Sequence, residues 1–314
     1  MKLARSVLSK QPAITARRMV SSMPPRYPGH IPLTGVEKVV LTIGSAAAAL
    51  LNPRRADMIA ALSETTSTPF LPGLRDTLFS TEEGRLILHE RPRIHSEVIN
   101  LHYLRELKEG TVGRVYCDWL ERCGTSPDTR LPVHHVDDPE LAYVLQRYRE
   151  THDFGHVLFD LPSTLVPELA LKIFEASQTS LPMPFLSSLT VLSPFNTLTS
   201  TTRSALLRDY LPWALKAAAE CKPLIGVYWE KRWEQDMDDL RRELGVILPG
   251  PGWEGLRYRK GTWKEREAAK KAKELEEAQL AEKEMVRLKK VESETKAKTE
   301  RAEEQGRVAV APGN

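Results

Sequence analysis

The segment VDDPELAYVLQRYRETHDFGHVLF, residues 136–159, decides the fold class. Asp138 is a residue type that accepts hydrogen bonds from the exposed N–H groups of a first helical turn, and Pro139 follows where a missing N–H costs a helix nothing. Leu141, Val144, Leu145, Tyr148, His152, His156 and Phe159 then recur at helical period along one stripe. The spacing predicts a long core helix. His152 and His156 are i and i+4, so both imidazoles stack on the stripe and are predicted to point inward.

Working outward, the chain breaks after this helix and restarts in LPSTLVPELALKIFEAS, residues 161–177, with Pro167 suited to a first helical position and Glu168 in the first turn. Consecutive helices with a short connection are natural antiparallel neighbours, so Glu168 returns to the end of the helix that carries the histidines. Asp153 lies one residue round from His152, at the edge of the same face. Each of these four residues has an ordinary explanation alone: a hydrogen-bonded core histidine, or an acid complementing a helix dipole. Together they favour a divalent metal, because burying two imidazoles and a carboxylate without partners is costly. Imidazole suits zinc, copper or iron, and a carboxylate remains compatible with zinc. HDxxH also resembles the HExxH zinc-peptidase helix, whose acid is a general base. Aspartate is one methylene shorter and no other peptidase feature is visible, so that reading is not adopted.

The rest of the chain reads as helix after helix. Residues 24–35, PPRYPGHIPLTG, form a linker, and a helix follows over about residues 36–51 until NPRR ends it. RADMIAALSETT, residues 55–66, is a second helix. In residues 80–94, Ser80 or Thr81 caps a third, with acids in its first turn, and Pro92 stops it. Residues 96–123 are helical with a break at Gly110 to Gly113, residues 124–135 are loop, and residues 203–221 and 223–243 read as two more helices. No β-alternation, internal repeat or glycine-rich phosphate loop appears. The fold class is all-α: a single helical domain over residues 31–257, a basic leader over residues 1–30, and a charged helical or disordered tail over residues 258–314.

Composition narrows the function classes. The net charge of +3 over 314 residues gives no reason to expect a nucleic-acid partner. Cys117, Cys123 and Cys221 form no CxxC pair, which argues against a disulfide framework or a cysteine zinc site. The first acid is Glu37, while Lys2, Arg5, Lys10, Arg17, Arg18 and Arg26 precede it among serines and threonine. That is the composition of a mitochondrial transit peptide. The longest uncharged apolar run, residues 39–52, falls short of the roughly 20 residues that span a bilayer. Residues 264–306 hold 12 Lys/Arg and 12 Glu with no sustained apolar seam, a solvated appendage expected to be dispensable for chemistry.

HDFGHVLFDLPSTLVPE, residues 152–168, matches the HDxxHx11E signature of the ubiquinone biosynthesis Coq4 family. NPRRADMIAALSETT, LHERPRI, GTVGRVYCDWL, SPDTR, VDDPELAYVLQRYRETHD and YWEKRWEQDMDDLRRELGV resemble that family in the same order, over about residues 30–250. The resemblance implies an all-α protein of ubiquinone (coenzyme Q) synthesis, peripheral on the matrix side of the mitochondrial inner membrane. It implies removal of the C1 carboxylate from a 4-hydroxy-3-methoxy-5-polyprenylbenzoate, alone or coupled to hydroxylation at that carbon. It also implies organisation of a multi-subunit complex of other ubiquinone biosynthesis proteins, with a homo-oligomer left open. The metal ligands it carries over are His152, Asp153, His156 and Glu168, for Zn2+ or another divalent metal, and Asp153 is the candidate catalytic group. The alternative is a non-catalytic scaffold that binds a polyprenyl lipid and keeps a structural zinc. Residues 180–195, SLPMPFLSSLTVLSPF, are the candidate apolar and membrane contact. Two positions depart from the family pattern, which has glycine where Asp160 and Pro167 stand.

Overall fold

Side-chain caps start the helices. The Asp138 carboxylate accepts from the N–H groups of Glu140 and Leu141 at 2.8 and 3.0 Å, and the long helix runs Pro139–Phe159. Thr81 caps Glu82–Glu90 through the Gly84 N–H at 3.0 Å, and Arg91 ends that helix in the left-handed conformation before Pro92. Thr34 and Glu37 close a reciprocal capping box at the start of Gly35–Leu51. The computed structural model describes residues 24–52, 55–189 and 199–250. The expected transit peptide falls largely, and the charged tail wholly, outside the described residues.

In chain order the helices are α1 (Gly35–Leu51), α2 (Ala56–Ser67), α3 (Leu71–Phe79), α4 (Glu82–Glu90), α5 (Leu101–Glu106), α6 (Val112–Cys123), α7 (Pro139–Phe159), α8 (Leu165–Thr179), α9 (Pro182–Leu189), α10 (Ser200–Ala205), α11 (Leu211–Glu220) and α12 (Met237–Leu244). A π-helical turn, Leu206–Tyr210, joins α10 to α11. Among the described residues there is no strand, only an isolated bridge between Thr111 and Asp236. The fold is all-α. No described helix is long and apolar enough to cross a membrane.

Helix α7 is the axis of the core. Its C-terminal half, with Phe154, Leu158 and Phe159, packs among Trp119 of α6, Phe174 of α8, Trp213 of α11 and Leu240 of α12. Its N-terminal half, with Val144 and Leu145, packs against Leu74 and Leu78 of α3, Ile87 of α4 and Tyr228. Each such side chain contributes about 1.5–3 kcal/mol on full burial. A helix buried on every side must satisfy its own charges inside. Arg147 reaches Glu230 and the Val227 carbonyl, Arg149 reaches Glu64, and Glu150 takes Arg93 and the Ile94 N–H at 2.9 Å. Glu64 also accepts both the His134 and His135 N–H groups at 2.7 Å. These pairs pin three loops to α7, and removing one partner leaves a buried charge at a cost of about 3–5 kcal/mol.

Several segments differ from the sequence reading; the helix expected over residues 203–221 starts at Ser200 and passes through the π-helical turn into α11. Helix α8 begins at Leu165 after Thr164, so Pro167 is its third residue rather than its first. The first four N–H groups of a helix have no partner within it, so proline still loses nothing there. The backbone bond from Glu168 N–H to the Thr164 carbonyl, 2.9 Å, is the first of the ladder. The break in residues 96–123 is at Leu107–Thr111, and Gly113 lies inside α6. A Cβ there would stand 2.8 Å from Leu104 and 3.2 Å from the Trp233 carbonyl, so glycine serves close packing rather than a break. Residues 223–243 are not one helix. Two 3-10 turns, Leu224–Gly226 and Trp229–Lys231, precede α12, because Ile225, Tyr228 and Trp229 are each drawn into the core from an irregular backbone. The expected linker is partly docked: the Tyr27 hydroxyl donates to the Val136 carbonyl at 2.9 Å, and His30 is buried 3.2 Å from Asp137.

Candidate metal centre

The turn between α7 and α8 is short because α7 stops abruptly. Asp160 takes the left-handed conformation (φ 54°), and its N–H and that of Leu161 return to α7 carbonyls. The chain then doubles back, and Glu168 in the first turn of α8 faces the last two turns of α7. Gly155 permits the approach: a Cβ there would stand 2.9 Å from Leu171 of α8.

His152, His156 and Glu168 meet. His152 Nε2 lies 3.1 Å from Glu168 Oε1, and His156 Nε2 lies 2.7 Å from Glu168 Oε2. Each carboxylate oxygen thus faces one imidazole. The two rings are perpendicular, with centroids 5.0 Å apart. One donor atom from each of the three residues lies within 4.8 Å of the other two. His152 and His156 are buried, whereas 35% of the Glu168 side chain is open, so the group has one accessible side. The Trp119 indole stacks on His156 at 5.4 Å and donates its N–H to the Leu161 carbonyl, which fixes the ring against the core.

A residue that the sequence reading passed over completes the arrangement. Glu175 Oε1 lies 2.6 Å from His152 Nδ1, and Glu175 Oε2 accepts from Lys172 at 2.7 Å and from the Tyr148 hydroxyl at 2.8 Å. A carboxylate on Nδ1 orients the ring, so that Nε2, which donates toward Glu168 when protonated, can offer its lone pair to a metal once that proton leaves, the pairing that orients metal-bound histidines. The signal was present in sequence: Glu168, Lys172 and Glu175 are i, i+4 and i+7, one face of α8.

The electrostatics follow. Burial works against a charge on His152, yet Glu175 and Glu168 outweigh it and raise its pKa, with Lys172 opposing. Burial likewise pushes Glu175 up, but His152 and Lys172 carry it down to about 2. Glu168 is held well below the usual carboxylate value by His152, His156 and Lys172 despite its own desolvation. Burial, reinforced by the Glu175 charge, lifts Tyr148 well above its ordinary value, so it remains a neutral donor.

Asp153 lies beside this group and not in it. It is fully buried, and one of its oxygens pairs with the Arg130 guanidinium from the loop between α6 and α7. Its other oxygen has no hydrogen-bond partner among the described residues. Two imidazoles and one carboxylate with an open side are donor types that could hold a divalent metal ion through three protein ligands. The buried Glu175 behind His152 supports the fit.

The family described as "Coenzyme Q (ubiquinone) biosynthesis protein Coq4" matches residues 27–250 of the chain. The chain belongs to the Coq4 family. It is 52% identical over 225 residues to the mitochondrial ubiquinone biosynthesis protein COQ4 of Laccaria bicolor, covering 72% of this chain and 75% of that one. It is 45% identical over 266 residues to the protein of the same name from Coprinopsis cinerea, covering 84% and 88%. A protein from Nostoc punctiforme PCC 73102 known from its crystal structure, described as a candidate ubiquinone biosynthesis protein, shares the fold. Its TM-score is 0.52 at 21% identity, with 67% of this chain and 96% of that chain covered. As a Coq4 member the chain is a protein of ubiquinone biosynthesis, and its curated relatives are named mitochondrial.

Proposed function

We propose that the chain removes the C1 carboxylate from a 4-hydroxy-3-methoxy-5-polyprenylbenzoate with a divalent metal, Zn2+ first among the candidates, held by His152, His156 and Glu168. The observation that carries this reading is the buried imidazole pair closing on Glu168, with Glu175 orienting the ring of His152. When bound, such an ion supplies Lewis acidity toward a carboxylate or phenolate oxygen. The chain supplies the rest. Glu175, Lys172 and Tyr148 hold His152 in register, Trp119 shields His156 from water, and the open side of Glu168 admits the ring. As the bond from C1 to the carboxyl carbon breaks and carbon dioxide leaves, a proton drawn from solvent takes its place at C1; the oxidative alternative, which leaves a hydroxyl group at C1, requires dioxygen or another two-electron oxidant as co-reactant. Asp153 stands outside the three ligands as a positioning group.

The polyprenyl chain of such a substrate stays in a bilayer, so the protein meets it from the membrane surface, on the matrix side of the inner membrane. Helix α9 supports this: its Phe185 and Leu186 are exposed, while Leu181 just before it is buried core. A second role, organising other ubiquinone biosynthesis enzymes, is favoured by α1. Val36, Val40, Ile43, Ala47 and Leu50 follow a 4-3-4-3 spacing on its surface, and all are exposed. The test is the lipid profile of cells lacking the protein, complemented by wild type or by His156→Ala. The decarboxylase reading expects a carboxylated polyprenyl intermediate to persist with the variant while the partner enzymes remain. Loss of all late intermediates together with the partner enzymes would favour the scaffold.

A further inference from the structure

Next to the three ligands is a second cluster that ligation leaves unexplained. Asp153, His156 and Tyr116 are all essentially fully buried, yet Asp153 Oδ2, His156 Nδ1 and the Tyr116 hydroxyl have no hydrogen-bond partner among the described residues. Arg130 Nε, on the guanidinium that grips the other oxygen of Asp153, is orphaned too. The Tyr116 ring stacks on Phe154, the residue after Asp153, at 4.5 Å. A buried polar group without a partner costs about 1–3 kcal/mol, so each of these calls for an occupant or ordered water.

Arg130 comes from the loop between α6 and α7, and 31% of its side chain is open, against 1% for Asp153. It therefore runs from a buried carboxylate to an accessible surface. It also lies within the fields of Glu168 and Glu175, which with Asp153 keep it charged against the effect of burial. The arginines of α7 are engaged elsewhere, Arg147 by Glu230 and Arg149 by Glu64.

Building on the metal reading above, we propose that Arg130, aligned by Asp153, anchors the carboxylate of an anionic aromatic substrate beside the metal ligands. A guanidinium is a planar fork that binds carboxylates through two parallel N–H groups; Asp153 takes the Nη2 group of Arg130, Nε is buried without a partner, and part of the side chain remains accessible. Charge balance points to the same class. With a divalent ion on a neutral His152 and His156, the carboxylates of Asp153, Glu168 and Glu175 are met by Arg130, Lys172 and the two charges of the ion. One positive charge is left over. A monoanionic carboxylate cancels it, a neutral phenol leaves it, and a dianionic phosphate overshoots.

The experiment compares two probes on the zinc-loaded full chain by calorimetry. One is 4-hydroxy-3-methoxybenzoate carrying a single prenyl group at position 5; the other is the same ring without the carboxylate. Zinc content is measured in the same samples. Wild type should bind the acid about tenfold to hundredfold more tightly than the phenol. R130Q with D153N removes both charges together, so no unpaired carboxylate remains inside; it should lose this preference and keep its zinc and its phenol affinity. R130K keeps the charge without the fork and should retain only part of the preference, which decides the matter if the double variant is poorly folded. A wild type that binds acid and phenol equally, or variants that preserve the full preference, would overturn the anchor. Zinc-free wild type with an Arg130-dependent acid preference would refute the metal reading and keep the anchor; zinc-loaded wild type with no such preference would do the reverse.

Discussion

Replacing Glu175 by Gln examines the support of the site without touching a ligand. The carboxylate meets three partners at once: His152 Nδ1 at 2.6 Å, Lys172 at 2.7 Å and the Tyr148 hydroxyl at 2.8 Å. Glutamine has nearly the same shape but one acceptor oxygen and no charge. Its amide turns a donor toward either His152 or the Lys172 and Tyr148 donors, so one side of the network is broken whichever way it points. If the amide group opposes His152, the ring can turn or change tautomer, and Nε2 is no longer oriented to offer its lone pair to a metal beside Glu168. Groups that orient metal-bound histidines are worth roughly 10–100-fold in metal affinity. At about 1.4 kcal/mol per factor of ten, the expected loss is about 1.4–2.8 kcal/mol. The assay is competition for Zn2+ against a chromophoric chelator at pH 7.5, with circular dichroism confirming the fold. Unchanged affinity in folded Glu175→Gln would refute the view that Glu175 orients His152 for a metal.

Protons should compete with the ion at the same place. The raised pKa of His152 means the metal must displace a proton, so zinc affinity should climb about tenfold per pH unit below that pKa and flatten above it. For the metal-free protein the signs separate. Glu175, lowered to about 2, stabilises the fold above its ordinary value near 4.5, and that contribution drains away as pH falls toward 2. His152 contributes fully below about 6.5, and its share is lost as pH rises through the raised value. Denaturant melts across pH should show both edges, and a metal-free protein equally stable from pH 3 to 9 would contradict them. Asp160→Gly should raise stability by about 1 kcal/mol in urea melts, since it relieves a left-handed non-glycine residue; an equal loss would mean that the Asp160 side chain holds the turn. Met183→Ser with Phe185→Ser should release the protein from inner-membrane vesicles with helicity and metal intact. Full sedimentation with the vesicles would place the membrane surface elsewhere, and unfolding would make the segment core.

The sequence made α7 legible because three independent signals agree there: the Asp138 cap, Pro139 behind it, and a mostly apolar stripe at helical period that carries the two histidines. The same regularity put His152 and His156 on an inward face, and the short turn brought Glu168 back to them. What escaped has physical causes. Arg130 sits 23 residues before Asp153 in an irregular loop. No period connects the two, so only the folded chain shows their contact. Residues 223–243 read as one helix, but Pro223 and Gly226 break the backbone while Tyr228 and Trp229 are held by tertiary packing, which overrides local pattern. Gly113 looked like punctuation because close approach of Leu104 and the Trp233 carbonyl leaves no mark in the sequence. Asp160 and Pro167 looked like departures from the family, and each proves tolerable at its own place, a left-handed helix end and a helix position whose N–H has no partner to lose.

The central claim is that His152, His156 and Glu168 hold a divalent metal. Elemental analysis of the purified full chain, wild type beside His156→Ala, tests it most directly. The account predicts about one equivalent of metal per chain in wild type and a small fraction of that in the folded variant; equal and negligible metal in both would contradict it.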